Sequence, residues 1–188
     1  FTTDGGYIGY GAMDGVGGIH EQREAREVKL GQYGHSNQPS HHIPYMYLYS
    51  SRPWETQKYV RDILARCYAG STFGQGYIGD EDNGEMSAWY VLSSIGFYPL
   101  SMGNDEFAIG SPQFEEVTVN LEGNKKLVIK ANNNSKENVY VDSMYVNGEK
   151  YDKTFIKYED LIKGGTIEFN MSSTPNKERG LEQDSLTS

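Results

Sequence analysis

A mixed α + β fold, helices first and strands after, is predicted by three features of this 188-residue chain. Between Ile43 and Ile95, apolar residues recur at spacings of three and four, the period of a helix with one buried face. Past Leu100 the spacing falls to two, the period of a half-buried strand. Gly and Asn pairs at Gly123-Asn124, Asn147-Gly148 and Gly164-Gly165 then punctuate the strands, because both residue types accept positive φ. The switch of period near residue 103 predicts a helical part over 1–103 and a β-rich part over 104–180. A flexible tail over 181–188 follows, and the polar chain is expected to fray from Ser172 onward.

The first 34 residues hold nine of the 22 glycines and little periodicity, so they read as loop with one short helix near Glu21 to Val28. The dense apolar run Ile43 to Ser50 reads as a helix, with Pro39 ahead of it and Pro44 in its first turn, where a missing N–H does least harm. Trp54 to Tyr68 places Tyr59, Val60, Ile63, Leu64 and Cys67 on one face and lets Lys58, Arg61, Asp62 and Arg66 point outward. A third helix, Met86 to Ile95, is apolar nearly all round and is expected to be buried. Strands are expected around Phe107–Ile109, Val117–Leu121, Leu127–Ile129, Val139–Val146 and Ile167–Phe169, with a hairpin at Asn147-Gly148.

Composition narrows the functions open to the chain. With 17 basic against 26 acidic residues the net charge is -9, which argues against nucleic acid and against an anionic membrane surface. No apolar run approaches a membrane span. Cys67 is the single cysteine, so neither an internal disulfide nor a Cys-based zinc site can form, and a small buried hydrophobe is its expected role. The fifteen Tyr offer faces on which sugar rings stack, although they serve equally as core residues. The opening Phe-Thr-Thr-Asp-Gly-Gly reads as the inside of a longer gene product.

Two polar clusters carry the chemistry: His35-Ser36-Asn37-Gln38-Pro39-Ser40-His41-His42, and Asp80-Glu81-Asp82-Asn83-Gly84-Glu85, with four carboxylates in six residues. Both precede helices, where loops converge to build sites. Crowded acids raise one another's pKa, and such crowding persists where a cation, a sugar or an acid/base task uses the charge. The histidine spacing lacks a zinc pattern, so His41 and His42 are expected to pack and to hydrogen-bond behind the site. An EF-hand reading of Asp80-x-Asp82-Asn83-Gly84 fails because its twelfth position is Val91. The oxygen-rich Asn37, Gln38, Asp80 and Asp82 still suit a hard cation such as calcium.

From about residue 30 to 179 the chain resembles the calcium-dependent exo-α-mannosidases of glycoside hydrolase family 92. The resemblance is carried by Ser36 to Tyr45, by Gly79 to Pro99 around Asp82-Asn83-Gly84-Glu85-Met86-Ser87-Ala88-Trp89-Tyr90, and by Phe107-Ala108-Ile109-Gly110-Ser111-Pro112. It implies the terminal helices of an (α/α)6 barrel catalytic domain followed by a small antiparallel β-sandwich-like domain. It implies an inverting hydrolysis of terminal α-linked mannose from mannosides or N-glycans, assisted by Ca2+. Asp82 then takes the role of catalytic base and Asp80 that of its partner or alternate. His35, Asn37, Gln38 and His41 become candidates for substrate binding, and Asn37, Gln38 and Asp80 for metal binding. Glu81 and Glu85 are expected to complement the dipole of the following helix.

Two departures from the family matter. Its general acid is a glutamate in an upstream motif, and nothing before residue 35 matches it, so the chain is expected to be an inactive fragment whose partner is the missing N-terminal portion of the same enzyme. Gln38 stands where many relatives carry glutamate. The resemblance also implies a periplasmic, cell-surface or secreted location. Two other readings compete: a non-catalytic carbohydrate-binding or interaction module, and a glycoside phosphorylase. The phosphorylase wants a basic phosphate pocket, yet the nearest basic residue to Asp82 in sequence is Arg66.

Overall fold

A computed structural model of the protein describes residues 20–68, 70, 74–101 and 103–181. The glycine-rich opening before His20 and the expected tail beyond Leu181 lie outside the described residues. The described part is α + β and packs as two compact units, one of residues up to Ile43 with Asp62–Tyr90, the other of Pro44–Arg61 with residues from Val91 on. The units interleave along the chain because two helices each supply residues to both.

The first unit begins with α1, His20–Glu27, the short helix expected near Glu21. It takes in the second half of α2, Trp54–Cys67, and the first half of α3, Glu85–Ile95. Leu30, Tyr33, Ile63, Leu64, Cys67, Ile78, Met86 and Trp89 are buried here. Cys67 is thus the buried hydrophobe its setting predicts, and burial pushes its thiol pKa up, away from thiolate chemistry. The end of α2 is tied to the turn after α1 by Arg66, whose Nη1 donates to the Val28 and Lys29 carbonyls at 3.2 and 3.3 Å.

The second unit holds the β-structure. β1 (Phe97–Tyr98), β2 (Glu106–Ile109) and β7 (Phe155–Lys157) form a three-stranded antiparallel sheet in the order β1-β2-β7. β3 (Glu116–Asn120), β4 (Lys126–Asn132), β5 (Tyr140–Val146), β6 (Glu149–Lys150) and β8 (Gly165–Ser172) form a second sheet, ordered β3-β4-β8-β5-β6. It is antiparallel except where β4 pairs parallel with β8, Ile129 opposite Ile167. A five-residue helix, α4 (Tyr158–Ile162), precedes β8. Period-two alternation aims Leu127, Ile129, Ala131, Ile167, Phe169 and Met171 into one core with Phe97, Ile109, Val141 and Met144. Each large side chain there contributes about 1.5–3 kcal/mol by leaving water.

The hairpin forms as expected, with Asn147 at φ 51 and Gly148 at φ 85 between paired Val146 and Glu149. Four expectations need correction. Ile43–Tyr49 is a 3-10 helix, whose three-residue period turns Tyr45 and Leu48 inward and leaves Ile43, Met46 and Tyr49 at 41%, 48% and 53% exposure. α3 is open on one side, with Val91 at 54%. Arg61 does not point outward: it donates to the Pro112 and Ser135 carbonyls and to Asn134 Oδ1, all within this unit. The chain does not fray at Ser172, because Arg179 is buried and donates to the Lys153 carbonyl at 3.0 Å. No helix among the described residues is long and apolar enough to cross a membrane.

Candidate active site

The two polar clusters meet within the first unit, and the backbone explains how. Gly79 has φ 72, and a Cβ on it would stand 2.4 Å from the Ser36 Cβ, so only glycine lets the two loops approach this closely. Gln38 Nε2 then donates to the Asp80 carbonyl at 2.7 Å, which brings Gln38 beside the acidic loop. After Asp80 the chain turns through three successive positive φ values: Asp82 at 50, Asn83 at 58 and Gly84 at 99. Left-handed backbone costs a non-glycine residue roughly 1–2 kcal/mol, and such strain concentrates where a side chain must be aimed. Asp80, Asp82 and Asn83 are all exposed as a result.

The acids differ in their surroundings. Glu81 turns back on the helix: its carboxylate accepts the Gly84 N–H and, at 3.1 Å, the Ser87 N–H. It satisfies amides that the first turn of α3 leaves free. Hydrogen bonds from Ser87 and then Gly84 hold its carboxyl below its usual value, so it stays an anion. Glu85 lies in the first turn of α3 and reaches His41 Nδ1 at 3.0 Å. Glu81 and Glu85 are thereby engaged at the helix start, and Asp80 and Asp82 are the carboxylates presented to solvent.

The histidines sit behind the loops. His35 is fully buried, with Nδ1 at 2.9 Å from the Tyr33 hydroxyl and Nε2 at 2.8 Å from the Tyr68 hydroxyl. The Tyr68 hydroxyl also lies 3.1 Å from the Met86 carbonyl, so its one hydrogen serves either that oxygen or His35 Nε2. Burial, and then the neighbouring His41, hold the His35 pKa well below 6.5. His41, 2% exposed, stacks on His35 with ring centres 4.5 Å apart. Its Nε2 faces the His35 carbonyl at 3.0 Å, and Trp89 Nε1 donates to the His41 carbonyl at 3.2 Å. His41 therefore packs and hydrogen-bonds as its spacing predicts, whereas His42 is exposed. Asn37 is exposed and Gln38 half-buried.

Asn37, Gln38, Asp80 and Asp82 offer only oxygen donors toward a cation, the chemistry that calcium prefers. Gln38 Nε2 uses one of its two hydrogens on the Asp80 carbonyl, and its Oε1 is the end that can accept a hydroxyl or face a metal. Among the described residues no group of three or more His, Cys, Asp or Glu stands close enough to hold a metal. Sequence reasoning missed Gly79, Tyr33, Tyr68 and Trp89 as parts of the site. Gly79 carried the one signal available, a glycine directly ahead of the acids.

A family model described as the glycosyl hydrolase family 92 catalytic domain matches residues 13–173. A family GH92 α-mannosidase from Bacteroides thetaiotaomicron superposes with a TM-score of 0.81 and 40% identity, covering 86% of this chain and 21% of that one. A family GH92 inverting mannosidase from the same organism gives 0.78 and 37%, covering 97% and 24%. An uncharacterised secreted glycosidase from Arthroderma benhamiae is 30% identical over 138 residues, 72% of this chain and 18% of that protein. The chain thus spans about a fifth of the length of the relatives it matches.

Proposed function

The chain belongs to glycosyl hydrolase family 92, and on that footing we propose that it is part of an inverting, calcium-dependent exo-α-mannosidase that releases terminal α-linked mannose from mannosides or N-glycans. The observation that carries this reading is the pairing of the two loops: solvent-facing Asp80 and Asp82 beside Gln38, held by the Gly79–Ser36 approach. Identity of 40% and 37% with mannosidases across most of the chain favours mannose over other sugars.

In this reading Asp82 is the base. An inverting glycosidase holds its base roughly 6.5–9.5 Å from its acid, leaving room for a water on the far face of the sugar. Asp82, exposed at the tip of the left-handed turn, can take the proton of that water as the oxygen attacks the anomeric carbon. Asp80 orients that water or a ring hydroxyl. Gln38 Oε1, Asn37 and Asp80 would hold calcium, which when bound anchors sugar hydroxyls and favours a distorted ring. The general acid is assigned to a glutamate outside this chain, so the chain alone is inactive. The same reading makes the described helices before residue 103 the terminal helices of an (α/α)6 barrel and 104–180 a β-sandwich-like domain. It puts the enzyme outside the cytoplasm, in keeping with the secreted fungal relative.

The test joins this chain to the remainder of the enzyme and follows an aryl α-mannoside by proton NMR. β-Mannose should appear first and mutarotate afterwards, and a chelator should abolish turnover. First-formed α-mannose would exclude inversion. Absence of hydrolysis on every α-mannoside, with the sugar still bound, would favour a carbohydrate-binding module.

A further inference from the structure

We propose that His41 is the positioning residue of this site, setting the separation between Gln38 and the Asp80–Asp82 carboxylates without touching substrate; the inference rests on the hydrolase reading above. His41 closes a circuit of contacts. Its backbone N–H donates to the Gln38 carbonyl at 3.0 Å, and Gln38 Nε2 donates to the Asp80 carbonyl. Asp80 leads to Glu81, whose carboxylate grips the amides of Gly84 and Ser87, and one residue after Gly84 comes Glu85. Glu85 returns to His41 through Nδ1. Opened at the His41 ring, the circuit keeps the exposed Gln38 bond, the Gly79–Ser36 approach and the Trp89 bond to the His41 carbonyl.

The ring is held at both nitrogens and on one face. Glu85 Oε1 lies 3.0 Å from Nδ1 and the His35 carbonyl 3.0 Å from Nε2, so both ring nitrogens are engaged. His35 lies flat against one face, itself held between Tyr33 and Tyr68. Trp89 holds the His41 carbonyl from α3. A side chain this constrained transmits the position of α3, through Glu85, to the loop that carries Gln38. Small displacements of reacting groups cost rate: about 1 Å can lower it 100-fold.

Amide exchange in this chain and kinetics of the full-length enzyme test the inference together, using Glu85→Ala, Glu85→Gln, His41→Ala and the double variant His41→Ala/Glu85→Ala. Exchange at Gly84 and Ser87 should quicken at least tenfold in Glu85→Ala and His41→Ala, with amides of β4 and β8 unchanged. On an α-mannoside, kcat should fall about 10- to 100-fold in each single variant, with no further loss beyond twofold in the double variant. Glu85→Gln keeps an acceptor oxygen and should recover most of both losses. If His41→Ala also quickens the strand amides, the fold has given way there, and the Glu85→Ala and Glu85→Gln pair decides. Unchanged loop exchange and kcat in Glu85→Ala would overturn the proposal, as would losses that multiply in the double variant. A wild-type enzyme inactive on mannosides, with loop exchange still responding as expected, would defeat the hydrolase reading and leave the circuit standing.

Discussion

Gly79 and Ser36 carry the closest approach in the site, and each answers differently to a methyl group. Gly79→Ala must accommodate a Cβ 2.4 Å from another Cβ at a φ of 72, so we expect a loss of about 2–4 kcal/mol in denaturant melts, with the loops pushed apart. Ser36→Ala is expected to be neutral or stabilising by about 1 kcal/mol, because the Ser36 hydroxyl is buried without a hydrogen-bond partner among the described residues. His35 gives a pH signature. The unfolded chain takes up a proton there near pH 6.5, whereas the buried ring takes one only well below that. The unfolded state therefore binds more protons as pH falls below 6.5, and stability should drop by at most about 1.4 kcal/mol per pH unit for this one proton. His35→Phe should flatten that slope in melts between pH 7 and 5, and an unchanged slope would assign it elsewhere. At this scale the sequence made the acids legible, since residue type alone marks Asp80, Glu81, Asp82 and Glu85. Their division between helix start and solvent depends on positive φ at Asp82 and Asn83; the Asn83-Gly84 pair marks a turn there but not which acids it leaves facing solvent. The aromatic setting of His35 comes from residues as far away as Tyr68, 33 positions along the chain.

Elements with a local cause were legible, and those with a distant cause were not. The helix periods of α2 and α3, the alternation along β4 and β8, and the Asn147-Gly148 turn all follow from spacing and residue chemistry. The parallel pairing of β4 with β8 joins segments with some 30 residues between them and leaves no periodic trace; it is set by the shared core. Short β1 and β7 exist only as partners of β2. The 3-10 winding of Ile43–Tyr49 escaped because apolar residues on nearly every side mask the difference between periods of three and 3.6. Ile167, 1% exposed and opposite both Ile129 and Val146, tests the core: Ile167→Ala should cost about 2–5 kcal/mol in denaturant melts. A cost below about 1 kcal/mol would mean that the strands do not meet in this register.

At the scale of the molecule, apolar side chains remain open: Met46 and Tyr49 on the 3-10 helix and Val91 on α3 are about half exposed. The relatives are four to five times longer than this chain, so further parts of the enzyme are the natural cover for such faces. Alone, the chain should self-associate in sedimentation velocity, and Met46→Lys with Val91→Lys should lessen that; a monodisperse, unmodified chain would contradict it. The -9 net charge and the open carboxylates suit a neutral or cationic ligand better than an anionic one. In the proposed reading Asp82 takes the proton of the attacking water. The most direct measurement is steady-state kinetics of the full-length enzyme carrying Asp82→Asn, on an α-mannoside with a good leaving group. kcat should fall about 100- to 10,000-fold while KM changes by less than about fivefold. A kcat within about threefold of the unaltered enzyme would contradict the assignment.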